Sequence, residues 1–186
     1  MSSKVLILGN PILKEKSQDV VDFKNRETIQ NINDLKHELD VFREQNGFGR
    51  GIAAIQIGIK KRIIALNLGK GSFVIVNPSI VYRSQDTFTL WDDCMSFPEL
   101  VVKVRRNSSI DIEYQDELGN RQEMKKLGRA ESELLQHEID HLDGILATER
   151  AIEVKDIIYK SEYNKNLEYY GSQVDYKISS TIEIDN

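Results

Sequence analysis

The sequence predicts an α+β fold, with mostly antiparallel sheets around a central helix that bears an HExxH motif. Three observations lead there. Residues 25–46 carry an amphipathic helical period, the middle of the chain is a series of alternating or β-branched runs, and a stretch rich in helix formers follows a glycine break at Gly128. The 186 residues suffice for one domain with a real core and are short for two, so 1–186 is read as a single domain.

Residues 1–20 read as an irregular segment around Asn10-Pro11. Ile29, Ile32, Leu35, Leu39 and Phe42 recur in steps of three and four, the spacing of one helical face, and Gly47 is the expected stop. Residues 47–56 read as a glycine-rich loop ending at Gln56. Strands are expected over 62–68, 73–76, 79–83, 100–106 and 110–114. Glu117-Leu118-Gly119-Asn120 has turn chemistry, which makes 121–127 the return strand of a hairpin. A helix is expected over 130–142 with Gly144 near its end, and a further helix over 153–169. The segment from about residue 171 reads as a polar tail, expected to be partly disordered.

Composition narrows the function. A net charge of −5, with no long basic run, argues against a phosphate-tracking nucleic-acid surface. The apolar run at 5–8 is too short for a signal peptide, and nothing approaches a membrane span. With one cysteine the chain cannot form an internal disulfide, and it reads as a cytoplasmic protein whose thiol stays reduced.

The strongest chemical signal is His137-Glu138-Ile139-Asp140-His141. On a helix, residues i and i+4 share a face one turn apart, so two imidazoles can reach one ion and the intervening glutamate can reach a water beside it. A solvated charged face is the bland alternative. Against it, the chain has three histidines in all, two of them at this spacing, and leucines and isoleucines surround the motif. A catalytic site of this kind needs a third protein ligand. Cys94 is the candidate, although a lone cysteine is as readily a small buried apolar residue. Gln56, after three glycines in five residues, could equally be an amide donor to a ligand or a surface residue. Asp140 reads as a helix-surface residue, Asp143 as lying near the helix end, and His37 as exposed.

Taken together the segments resemble peptide deformylases. Gly49-Arg50-Gly51-Ile52-Ala53-Ala54-Ile55-Gln56 is similar to the family's first motif, Asp92-Asp93-Cys94-Met95-Ser96 to its second, and Gln136 to Gly144 to its third, in the family's order. Asn10-Pro11-Ile12-Leu13 also sits where members carry a Pro-x-Leu segment. Asp92 stands for the usual glutamate, Asp93 for the usual glycine, and Ile55 for a frequent proline. Should the backbone at Asp93 need a conformation reserved for glycine, activity would suffer.

The resemblance implies hydrolysis of the formamide of N-formylmethionyl peptides, an N-terminal processing step on nascent chains, some of them ribosome-associated. It implies Cys94, His137 and His141 as metal ligands and Glu138 as proton shuttle. Gln56 and the Met95 backbone N–H would stabilise the oxyanion, and Gly51 and Ile52 would bind substrate. Ferrous iron is the implied ion, with Zn2+ or Ni2+ as substitutes. Two other readings fit the residues: a deformylase-like protein that binds metal or peptide without turnover, and a zinc peptidase that uses HExxH without Cys94.

Overall fold

A computed structural model describes residues 5–178. Residues 1–4 of the expected irregular start and 179–186 of the expected tail lie outside the described residues.

The first helix, α1, spans Arg26–Asn46. The Asn25 side chain accepts from Glu27 N at its start, and Gly47 ends it at φ 72°, the left-handed geometry glycine adopts without a Cβ penalty. Ile32, Leu35, Leu39 and Phe42 are buried, each contributing roughly 1.5–3 kcal/mol. Ile29, expected on the same face, is 48% exposed.

The segment read as a glycine loop is more ordered than expected. Gly51–Ala53 forms a short strand, β1, and Ala54–Ile57 a single 3-10 turn that carries Gln56. Strand β2 is Ile63–Asn67, and β3 runs unbroken over Ser72–Arg83, where the sequence suggested two strands. The two runs join across a bulge at Asn77, whose φ is 50°. Asparagine tolerates that region, and its side chain exchanges hydrogen bonds with Val20 N and Val20 O, both at 2.8 Å.

Strand β4, Thr87–Asp93, was not expected; it pairs with β5, Leu100–Asn107, along its whole length. Strands β6, Ile110–Gln115, and β7, Arg121–Met124, form the expected hairpin, with Gly119 at φ 88° in its turn. Helix α2 is Arg129–Leu142, and Gly144 follows at φ 73°.

The helix expected over 153–169 is instead a strand, β8 (Ile157–Tyr159), followed by short helices α3 (Lys160–Lys165) and α4 (Leu167–Gly171). Ile157 and Ile158 are β-branched and find a free partner edge in β5, which wins over weak helical propensity. The expected tail is placed as far as residue 178. Asp175 Oδ2 accepts from Thr89 N at 2.9 Å and Thr89 Oγ1 at 2.8 Å, and the Tyr176 ring meets Phe88 edge-on at 5.4 Å.

The strands make a five-stranded sheet in the order β1-β2-β3-β6-β7 and a three-stranded sheet β4-β5-β8, all antiparallel. Both faces of β2 are covered. Ile63 and Ala65 pack towards α1, whereas Ile64 and Leu66 pack with Leu134, Leu135, Ile139 and Leu142 of α2. This is the period-two alternation of a strand with two apolar faces. A third cluster, built on Phe88, Leu90, Val102 and Val104 of the smaller sheet, includes Cys94. Among the described residues no helix is long and apolar enough to cross a membrane.

Candidate metal centre

Three elements meet at one point. Helix α2 presents His137 and His141, the end of β4 presents Cys94, and the 3-10 turn after β1 presents Gln56. All four residues are buried. Cys94 Sγ lies 3.2 Å from His141 Nε2, which lies 3.2 Å from His137 Nε2. The three candidate ligand atoms fall within 4.8 Å of one another. A tetrahedral ion with bonds of about 2.0–2.3 Å keeps its ligand atoms roughly 3.3–3.6 Å apart, so the spacing suits a single cation. Burial pushes the Cys94 thiol up and the His141 imidazole down. A cation among these donors would stabilise the thiolate and take up the neutral imidazole, so the chemistry of the set fits a metal.

Behind His137 stands a chain of charges that the sequence did not reveal. His137 Nδ1 lies 2.9 Å from Asp92 Oδ2, which Arg106 Nη2 contacts at 3.2 Å. Arg106 Nη1 reaches Asp140 Oδ2 at 2.5 Å, and Arg150 Nη2 closes the series on Asp140 Oδ1 at 2.8 Å. Burial alone would raise Asp92, but His137 and Arg106 outweigh it and hold the carboxyl at about 2. Burial disfavours a charged His137, and Asp92 reverses this to hold it well above the usual histidine range. Such a partner fixes which ring nitrogen is left for an ion. Asp140 is therefore not the surface residue expected of it: its side chain is 14% exposed and anchors Arg106. The one available signal was its position one residue before a candidate ligand. Arg106 had none: it lies opposite Phe88 in β5, and its side chain reaches along the sheet to Asp92 and Asp140 only in the folded chain.

Glu138 lies beside this centre, buried, with Oε2 lacking a hydrogen-bond partner among the described residues. Burial pushes its carboxyl up to about 7. The Gln56 amide is oriented by the preceding strand β1: Ala53 N donates to Oε1 at 2.8 Å, which turns Nε2 towards Ser96 Oγ at 3.1 Å and Cys94 Sγ at 3.6 Å. Gly51 sits against Glu138, and a Cβ there would lie 2.9 Å from Glu138 Oε1. Ile52 is fully buried and packs with the α1 cluster, so its side chain faces away from Glu138. Met95 is buried, its Cε filling the space beside Gly49.

A cavity opens from the centre. Gln56, Cys94, Met95, His137 and Glu138 line it together with Gly49, Arg50, Gly51 and Glu133. Its rim includes Phe48, Trp91, Asp93, Tyr163, Lys177 and Ile178, so the C-terminal segment borders the opening. Asp93 lies in extended β4 opposite Val101, outside the positive-φ region. The position therefore does not demand glycine. Its carboxylate instead takes Lys160 Nζ at 2.9 Å, and that ammonium lies 4.4 Å from the centre of the Phe48 ring. Asp143 is the C-cap of α2 and pairs with Arg62 at 2.7 Å, and His37 is exposed.

A buried Cys-His-His set, with a buried carboxylate beside it and a cavity in front, defines a mononuclear metal hydrolase. A profile of the polypeptide deformylase family matches residues 2–156. A peptide deformylase of Pelotomaculum thermopropionicum is 34% identical over 159 residues, covering 86% of this chain and 97% of its own. The crystal structure of a peptide deformylase from Legionella pneumophila superposes with a TM-score of 0.74 at 26% identity, covering 93% of this chain and 97% of that one. The peptide deformylase of Thermus thermophilus gives 0.71 at 30%, covering 92% and 96%. The chain belongs to the polypeptide deformylase family, metal-dependent hydrolases that remove the N-formyl group from polypeptides. The non-catalytic and general-peptidase readings are not favoured.

Proposed function

We propose that this protein removes the formyl group from N-terminal formylmethionine of nascent polypeptides, using a ferrous ion held by Cys94, His137 and His141. The observation that carries the reading is the convergence of these three donors beside the buried Glu138 carboxylate, whose Oε2 has no partner among the described residues. The N2S donor set suits several divalent metals. The motif resemblance supports iron, with zinc or nickel able to substitute. Residues 1–186 act as one domain in which the HExxH helix is the central element. The site works on peptide ends in the cytoplasm, including chains still on the ribosome, and an acidic net charge of −5 supports the absence of a nucleic-acid partner.

When bound, the cation supplies Lewis-acid activation of water and of the formyl carbonyl at neutral pH. Glu138, with a carboxyl near 7, accepts the attacking water's proton and returns it to the departing amide nitrogen. Gln56 Nε2 and the Met95 backbone N–H donate to the oxygen on which negative charge develops, and Ala53 pre-orients the glutamine amide for this. The backbone around Gly51 and Ile52 receives the peptide. Strand β1 is the edge of its sheet, so its outer side, apart from the Ala53 N–H already given to Gln56 Oε1, can pair with an extended chain.

The test is formate release from formyl-Met-Ala-Ser by anaerobically prepared, ferrous-loaded protein. Glu138→Ala should lower turnover by about 10²-fold or more. No release above that variant would overturn the reading.

A further inference from the structure

Two charged side chains in the cavity have no part in the chemistry above. Arg50 and Glu133 form an ion pair with side-chain exposures of 8% and 2%, and both line the cavity that holds Cys94, His137 and Glu138. Arg50 Nη1 also donates to Ala130 O at 3.3 Å. Glu133 precedes His137 by four residues on α2, so it lies on the same helical face about 6 Å from that ligand. This is about the span of an unbranched side chain on the carbon next to the formamide nitrogen. The first side chain of a peptide whose formyl group meets Glu138 can therefore reach a wall that is charged, flanked by Leu134.

A guanidinium has five N–H donors, and the two contacts described leave it capacity for a further acceptor. A hydrocarbon chain entering beside the pair strips water from it and offers nothing in return. A chain ending in an acceptor oxygen replaces the lost hydrogen bond. Sites built around polar groups reject ligands that leave those groups unpaired far more strongly than apolar pockets reject a misfit methylene.

We propose that the Arg50–Glu133 pair determines specificity for the first residue, favouring a side chain that ends in a hydrogen-bond acceptor over a hydrocarbon chain of equal length. The inference rests on the deformylase reading. Methionine, whose sulfur is a weak acceptor, falls between the two.

The experiment compares kcat/KM of the metal-loaded full chain on formyl-Xaa-Ala-Ser, with Xaa as glutamine, methionine or norleucine. The wild-type protein should prefer glutamine over norleucine by about 10-fold or more. The apolar double variant Arg50→Leu, Glu133→Leu should invert that order, since replacing a buried ion pair with hydrocarbon is often tolerated. Wild-type protein that cleaves norleucine as well as or better than glutamine overturns the specificity assignment and leaves the deformylase reading standing. An unchanged ratio in a folded, metal-loaded double variant does the same. If that variant does not fold, the wild-type ratio decides. Loss of all three activities in the wild type overturns both.

Discussion

Gly51→Ala isolates the placement of Glu138 from every metal ligand. The backbone at Gly51 is outside the positive-φ region, so alanine meets no conformational penalty there and the effect is one of space. The new Cβ would sit 2.9 Å from Glu138 Oε1, 3.1 Å from Glu138 Cγ and 3.1 Å from Leu66 Cδ2. Non-bonded carbon contacts settle near 3.5 Å, so the carboxylate must retreat by about 0.5 Å. Leu66 is 2% exposed and blocks relaxation the other way. A displacement of about 1 Å at a reacting group can cost about 10²-fold, and half of that should cost roughly 10-fold in kcat. Overpacking should also cost about 1–3 kcal/mol of stability, seen as a Tm lower by about 2–10 °C. The assay is kcat for formate release from formyl-Met-Ala-Ser at saturation, with bound metal measured on the same samples. Turnover within about two-fold of wild type would refute the reasoning, as would a loss carried wholly by KM or by missing metal.

Asp92→Asn should weaken metal affinity by about 10–100-fold, read by competition with a chelator, because His137 loses its orienting carboxylate. Asp92 is held at about 2 against 3.8, so its stabilising contribution is present above about pH 4 and lost as pH falls towards 2. The asparagine variant should lose less stability than wild type across that window. In metal-free protein Glu138 lies near 7 against 4.5, so its contribution is complete below about pH 4.5 and lost as pH rises through 7. The stability difference between wild type and Glu138→Gln in urea should therefore shift by up to about 3 kcal/mol in the variant's favour from pH 4.5 to 7.5. Parallel pH profiles would contradict the assignment. Gly144→Ala places a Cβ 2.5 Å from the Lys14 carbonyl oxygen at φ 73°. It should cost roughly 2–4 kcal/mol in urea unfolding without moving metal affinity, and a neutral result would refute the close approach.

Local patterns were the readable part of the fold. Helix α1 announced itself through its period and its stop at Gly47, and α2 through Gly128 and a run of helix formers. Strand β4 was not readable: Trp91 is buried against Tyr163 and Tyr170 of the C-terminal segment, and Asp92, on the opposite face, is buried against Arg106 and His137, all arriving from elsewhere. Strand β8 is three residues long and exists because the edge of β5 is free to pair. The joined β3 needed Val20 to satisfy Asn77 across the bulge, a contact 57 residues away in sequence.

What the sequence determined by itself about the metal centre was the pairing of His137 and His141 with Glu138 between them, because helical geometry is local and sets a four-residue spacing on one face. Only the tertiary structure decided whether Cys94 met them, since β4 and α2 belong to different elements and converge through sheet pairing and shared burial. It also decided the role of Asp93. That residue is extended backbone with a lysine partner, and its tolerance for aspartate depends on Lys160, which the chain brings back 67 residues later. Charges at long sequence separation pair only when the fold removes the water between them. For that reason the Asp92–Arg106–Asp140 chain and the Arg50–Glu133 wall appeared only in three dimensions.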